Sequence, residues 1–332
     1  MKIRGNGVDN ILSVKDLSVY FYTRRGVIKA LQDISFNVKR NKLLGIVGES
    51  GSGKSVLSLS ILNLIDKPGV IEKGSINYEG KEILEMPQKE LDRIRGGEIS
   101  IIFPDPMSAF DPTLTIGAQV SETITRHNKG VNKRTAKEMA IDLFEKVKIP
   151  SPEKRFDEFP FMFSGGMIQR VMIAIAISSK PEFIIADNPT QALDVTIQAQ
   201  ILDLLSELQE TLGTTFIFIT NSLPILARYA DIIMVLYSGI TAEIGTKREI
   251  LNNPSHPYTK GLIDSIPKID GERQKRLRTI EGFSQEILQS DLERCIFYDR
   301  CTVSMERCVR ERPGMYPVHG SDDQLASCFL FA

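Results

Sequence analysis

Gly48-Glu49-Ser50-Gly51-Ser52-Gly53-Lys54-Ser55 fits the pattern G-x-x-x-x-G-K-[ST] without a gap. The pattern has mechanical meaning only between a strand and a helix, and both neighbours qualify. Leu43-Leu44-Gly45-Ile46-Val47 reads as a buried strand. Val56, Leu57, Leu59, Ile61, Leu62, Leu64 and Ile65 then recur at helical spacing. Strand, glycine turn and helix start form a phosphate cradle, in which backbone N–H groups close on the anion and the helix N-terminus adds positive charge. In such a loop Lys54 is expected to reach the β- and γ-phosphates, and Ser55 to hold Mg²⁺.

The rest of the composition sets bounds. A chain of 332 residues suits one large domain with an appendage. Its 42% hydrophobic and 25% charged residues are those of a soluble globular protein. The net charge of −1 gives no electrostatic case for nucleic acid or an anionic membrane surface. The longest apolar run, Val171 to Ile177, falls far short of a membrane span, and Met1 to Gly7 lacks the apolar stretch of a signal peptide. The expected location is therefore cytoplasmic, reaching a membrane only through partners. Cysteine is confined to Cys295, Cys301, Cys308 and Cys328, which points to a reducing compartment and a special use for that cluster.

Along the chain, Ser13 to Phe21 and Ala30 to Val38 read as strands joined at Arg24-Arg25-Gly26. Gly74 to Tyr78 and Ile99 to Phe103 are further strands, with a short polar helix over Pro87 to Arg95 between them. From about Leu114 to Ser179 the period becomes helical, which predicts a helical insertion. Phe183 to Ala186, Thr215 to Thr220 and Ile232 to Tyr237 return to strands, with a long helix over Val195 to Leu212 and a final hairpin strand over Gly239 to Gly245. Strands alternating with helices predict an α/β fold with a mainly parallel sheet. Residues 1–252 are expected to form this domain, with the insertion at about 110–180, and residues 253–332 a C-terminal extension.

Three further stretches narrow the reading. Phe163-Ser164-Gly165-Gly166-Met167-Ile168-Gln169-Arg170 opens a helix late in the insertion. Asp187 ends the strand Phe183 to Ala186, where a carboxylate faces Mg²⁺ from the sheet's C-terminal edge. Ala192-Leu193-Asp194 follows. In this order and spacing the set resembles the nucleotide-binding subunits of ABC transporters, over nearly the whole chain. The resemblance implies an ABC-type phosphate-loop domain with a parallel core, an antiparallel β subdomain and a helical insertion. It makes Ser164-Gly165-Gly166 the signature motif, a second helix N-terminus aimed at the γ-phosphate across a head-to-tail dimer. It also assigns Asp187 to Mg²⁺ and Asp194 to the nucleotide site. An aromatic residue stacking on adenine is expected near the end of the first strand, with Tyr22 ahead of Phe21.

The Gly-Glu-Ser-Gly-Ser-Gly-Lys-Ser loop, Asp105-Pro106-Met107, Ser-Gly-Gly-Met and His256-Pro257-Tyr258-Thr259 together look like the dipeptide and oligopeptide importer ATPases, a group that includes nickel importers. Members often carry four cysteines in a C-terminal extension, spaced here C-x5-C-x6-C-x19-C. By ligand count four thiolates suit a [4Fe–4S] cluster or tetrahedral zinc equally. The short C-x2-C knuckle of many zinc sites is absent, and the resemblance implies the cluster; free thiols or disulfides are the remaining readings.

Departures from the family pattern gather at the chemistry. Where the family has a glutamate after the Asp187 position, to polarise the attacking water, this chain has Asn188, an amide that accepts no proton. The histidine and aspartate after strand Thr215 to Thr220 are Asn221 and Ser222. The glutamine after strand Ile99 to Phe103 is Pro104, without an amide side chain or a backbone N–H. Phe161-Met162 stands for the His-Gln before the signature. The binding residues are kept and the hydrolytic ones lost.

The expectation is thus a subunit that binds Mg-ATP, turns it over poorly, and completes a paralogous ATPase partner's site with its own signature. Two transmembrane permease subunits and, indirectly, an extracytoplasmic solute-binding protein follow from the resemblance, and no nucleic acid. The rival readings are a non-hydrolysing ATP-gated clamp outside a transporter and a soluble ABC protein acting on ribosomes or DNA.

Overall fold

The computed structural model describes residues 9–267, 279–282, 293–321 and 323–332. The opening residues Met1 to Gly7, read above for a signal peptide, lie outside the described residues. In chain order, strands β1 (Asn10–Thr23), β2 (Gly26–Lys39) and β3 (Leu43–Val47) lead to helix α1 (Lys54–Ile61). Next come β4 (Gly69–Tyr78), β5 (Lys81–Glu82), α2 (Gln88–Ile94), β6 (Ile99–Ile102) and α3 (Pro106–Ala109). Helices α4 (Ile116–His127), α5 (Lys133–Lys146), α6 (Pro152–Phe156) and α7 (Gly165–Ile177) form the insertion. Then follow β7 (Phe183–Asp187), α8 (Val195–Leu212), β8 (Thr215–Thr220), α9 (Leu223–Tyr229), β9 (Ile232–Tyr237) and β10 (Ile240–Thr246). The chain ends with α10 (Lys247–Asn252), α11 (Pro257–Asp264), α12 (Glu306–Arg310), β11 (Tyr316–Pro317) and β12 (Leu325–Ala326).

These elements fall into two compact units. One comprises Met1–Lys39, Leu43–Leu84 and Phe218–Ala332, the other Arg40–Lys42 and Glu85–Ile217. In the first, β2, β1, β4 and β5 make a four-stranded antiparallel sheet. Also in it, β3 pairs in parallel with β9, and β10, β12 and β11 extend that edge antiparallel. All five residues of β3 are buried, as a strand covered on both faces requires. The C-terminal extension therefore shares a unit with the phosphate loop.

In the second unit β6 and β7 pair in parallel. The helices around them start where short polar side chains accept the free first-turn amides. Thr115 accepts from Ala118 N–H at α4, Asn132 from Thr135 N–H at α5, and Asp194 from the Thr196 and Ile197 N–H groups at α8. The apolar stripe of α8 buries Ile201, Leu204, Leu205 and Leu208, and Gly213 ends the helix in the left-handed region.

Several boundaries move from their expected places. The first two strands are longer, β4 begins at Gly69 rather than Gly74, and α1 stops at Ile61 although apolar spacing continues to Ile65. Asn63, at φ 50°, takes the left-handed conformation and turns the chain out of the helix.

A buried carboxylate anchors the extension. Glu243 of β10 accepts from the Ser255 and His256 backbone N–H groups at 2.8 and 2.9 Å and from Gln324 Nε2 at 2.6 Å. His256 is 2% exposed, and its Nδ1 accepts from Tyr258 N–H at 3.0 Å to cap α11. That bond needs a neutral imidazole, and burial holds the His256 pKa down at about 4 against an ordinary 6.5. Between those values the unfolded chain binds more protons than the folded one, so stability falls as pH drops from about 6.5 toward about 4. His256→Asn keeps a capping acceptor that does not titrate. Thermal melting across this window is expected to show a shallower decline for the variant than for the wild type, and equal slopes would count against His256 as the group responsible.

Candidate nucleotide site

The phosphate loop is shaped by its neighbours as much as by its own residues. A β-carbon on Gly48 would lie 2.1 Å from the Leu236 carbonyl oxygen, and one on Gly53 2.6 Å from that of Ala30. Gly53 also sits at φ 98°, where a side chain is strained. Within the loop, Ser52 N–H donates to Glu49 O at 3.2 Å, and Ser52 O accepts from Gly239 N–H at 2.9 Å. Gly53 is the N-cap of α1 and supplies no side-chain acceptor, so the first-turn amides have no capping side chain.

Lys54 is 5% exposed, and its ammonium donates to Gly48 O at 3.0 Å, Glu49 O at 2.7 Å and Ser52 Oγ at 3.2 Å. Three donors thus converge on the loop that encloses them. Ser55 is exposed at the start of α1. Tyr22 is 50% exposed and its hydroxyl donates to Glu72, while its backbone N–H donates to Pro68 O at 3.1 Å. Asn221 is exposed just past β8, and Ser222 N–H donates to Thr220 Oγ1 at 3.1 Å.

Sequence reasoning did not find the partners of Glu49. Its carboxylate receives both terminal nitrogens of Arg300, at 2.8 and 2.9 Å, and its N–H donates to Tyr258 Oη at 3.0 Å. Charge pairs so far apart in the chain leave no local pattern; the one signal available was a carboxylate set inside an anion-binding loop.

In the second unit, Ser164 caps α7 by accepting from Met167 N–H at 3.4 Å, and Ser164 and Gly165 are exposed at the helix start. A β-carbon on Gly166 would lie 2.7 Å from Ile197 Cγ2, so this helix end approaches the first turn of α8, which Asp194 caps. Asp187 is 2% exposed at the end of β7. Asn188 takes φ 46°, and its Nδ2 donates to Asp187 Oδ1 at 3.0 Å. An amide is thus directed onto the carboxylate that is the candidate for Mg²⁺. Pro104 follows β6, and Asp105 caps α3 through Met107 N–H at 3.1 Å. Phe161 and Met162 are 68% and 50% exposed.

None of the four cysteines is joined in a disulfide. Burial pushes the Cys295 thiol up to about 11, with Cys308, Cys301 and Cys328 adding to the rise. Burial likewise raises Cys301 and Cys328. Their mutual influence places the four in one neighbourhood, and Cys295 N–H donates to Cys308 O at 2.9 Å. Among the described residues no three His, Cys, Asp or Glu side chains are arranged to hold a single metal ion. By donor type the four thiols suit an iron–sulfur cluster or a tetrahedral zinc site alike.

Comparison with known proteins agrees with this layout. Residues 31–191 match the family model "ABC transporter", and residues 242–308 match "Oligopeptide/dipeptide transporter, C-terminal region". The chain is 43% identical over 312 residues to the oligopeptide transport ATP-binding protein OppD of Bacillus subtilis (strain 168), covering 94% of this chain and 87% of that one. It is 44% identical over 280 residues to the dipeptide transport ATP-binding protein DppD of Lactococcus lactis, covering 84% and 80%. Among solved structures it resembles the dimeric ATP-binding cassette MJ0796 bound to ADP and Pi, with a TM-score of 0.64 and 25% identity over 71% of this chain and 99% of that one. With an ABC cassette followed by the oligopeptide/dipeptide C-terminal region, and relatives alike along both, the chain belongs to the ATP-binding proteins of ABC transporters in the oligopeptide/dipeptide family.

Proposed function

We propose that this chain is the ATP-binding subunit of an importer for di- and oligopeptides, a subunit that binds Mg-ATP and hydrolyses it poorly at its own site. The observation that carries the binding half is the built phosphate loop, with a buried Lys54 donating three times within it. The bound nucleotide would be held by Gly48 to Ser55, with Tyr22 against the adenine and Asp187 and Ser55 for Mg²⁺. The relatives named for oligopeptide and dipeptide transport support the substrate class.

The hydrolytic half rests on Asn188. In place of a carboxylate able to take a proton from water, its amide donates to Asp187. Loss of a general base commonly lowers a rate by about 10²–10⁴-fold. Asn221 and Pro104 remove two further groups that the family pattern places around the γ-phosphate. Such a subunit does its work in a heterodimer. Ser164, Gly165 and Gly166 here, with Asp194 beside them, complete the site of a paralogous ATPase that keeps its own base. The pair would act on two transmembrane permease subunits fed by an extracytoplasmic solute-binding protein. As part of that complex the chain would be peripheral, on the cytoplasmic face; among the described residues no helix is long and apolar enough to cross a membrane.

ATP turnover by the purified complex, with substitutions in one subunit at a time, tests this assignment. Removing the partner's general base, or introducing Ser164→Arg here, is expected to lower turnover by at least about 10²-fold. Turnover that survives the partner substitution but is lost with Lys54→Ala would show that this chain's own site hydrolyses ATP. A complex-free soluble dimer that binds ATP without turnover would favour the ATP-gated clamp instead.

We also assign Cys295, Cys301, Cys308 and Cys328 to a [4Fe–4S] cluster, because four thiols of one neighbourhood, Cys308 buried and the others half-buried, match its ligand set. The cluster would supply a cross-link for the extension. Anaerobically purified protein is expected to contain iron and acid-labile sulfide in equal amounts, both lost in Cys301→Ser. Stoichiometric zinc without iron would overturn the assignment.

A further inference from the structure

We infer that Arg300 and Glu49 are positioning residues of the phosphate loop, which makes the C-terminal extension a working part of the nucleotide site. The inference rests on the reading that this loop binds Mg-ATP. Glu49 is the second residue of the loop, and each of its polar groups has a separate partner. Its carbonyl accepts from Lys54 Nζ at 2.7 Å, its N–H donates to Tyr258 Oη at 3.0 Å, and its carboxylate accepts both arms of Arg300 at 2.8 and 2.9 Å. The planar fork of a guanidinium on a carboxylate fixes direction as well as distance.

Arg300 is itself held. Its side chain is 6% exposed, its Nε donates to Glu281 O at 2.9 Å, and its Nη1 lies 3.4 Å from Tyr237 Oη. It ends a short 3₁₀ turn, Tyr298–Arg300, that lies between Cys295 and Cys301. The same segment buries Phe297 edge-on against Tyr237 at 5.1 Å and beside Tyr258 at 5.6 Å. One turn of the extension therefore delivers an apolar wedge and a cation to the back of the loop.

Charge explains why the pair matters. An anion-binding loop is a poor place for a carboxylate, because an unpaired Glu49 would repel the phosphates it adjoins. Arg300 cancels that charge and keeps the carboxylate turned toward the extension. Removing Arg300 alone both frees the loop and restores the repulsion. Removing both charges frees the loop but abolishes the repulsion. A simple packing role makes no such distinction.

The test uses the full chain and two readouts: Mg-ATP affinity, and amide hydrogen exchange of residues 49–53 without nucleotide. Arg300→Gln is expected to weaken Mg-ATP binding about tenfold and to speed exchange in the loop. Glu49→Gln with Arg300→Gln is expected to recover most of the lost affinity. Unchanged affinity in Arg300→Gln, or a double variant as weak as the single one, would overturn the inference. If the wild-type chain binds no Mg-ATP, the nucleotide reading itself falls. Loop exchange then decides the pair's role alone, and unaltered protection in Arg300→Gln overturns it.

Discussion

Two backbone carbonyls, those of Leu236 and Ala30, press so closely on Gly48 and Gly53 that no β-carbon fits at either position. The glycines permit the curvature of the phosphate loop, but the strand end carrying Leu236 and the β2 strand impose it. Gly239, in the turn between β9 and β10, adds a hydrogen bond from its N–H to Ser52 O and accepts one from Gln32 N–H at its own oxygen. The anion cradle is thus moulded from outside by two stretches distant in sequence, β2 and the end of β9 with its turn. Its geometry belongs to the folded unit and not to an isolated strand–turn–helix.

The same logic runs through the extension. Glu243 is fully buried and its charge is answered by two backbone amides and the Gln324 side chain, a hydrogen-bonded arrangement that a desolvated carboxylate requires. Those partners come from the linker ahead of α11 and from the residue just before β12. One side chain on β10 thereby fastens both ends of the C-terminal region. His256 and Tyr258, adjacent to that node, carry the connection toward the phosphate loop. A neutral buried imidazole and a buried phenol are consistent with a dry, rigid link.

Much of this was legible in the residues. The loop, β3, α8, β8 and β9 stand where periodicity and punctuation put them, since each is long or fully apolar and flanked by clear stops. The failures have local causes. Gly74 reads as a strand start, yet it lies inside β4, at φ 114°, where a β-carbon would meet the Leu17 backbone at 2.5 Å. It marks an irregularity in the pairing with β1. Helix α9 has only seven residues and opens with Leu223-Pro224, which looks like a loop. Strands β11 and β12 have two residues each and leave no alternation to detect. At the site, motif residues could be named because their spacing is local. The Arg300 fork could not, because folding alone brings it to Glu49.

Strands β11 and β12, two residues each, decide how one edge of the sheet ends. Ile240 and Ala242 make β10 an apolar strand that would otherwise close the mixed sheet with a row of open N–H and C=O groups. Such an edge is a template for pairing with another chain. Strand β12 covers Glu243 and Ile244, and β11 then presents only Tyr316 and Pro317 outward, one of them unable to donate. The end of the extension therefore acts as an edge guard, turning a sticky border of the sheet into a short, proline-blunted one.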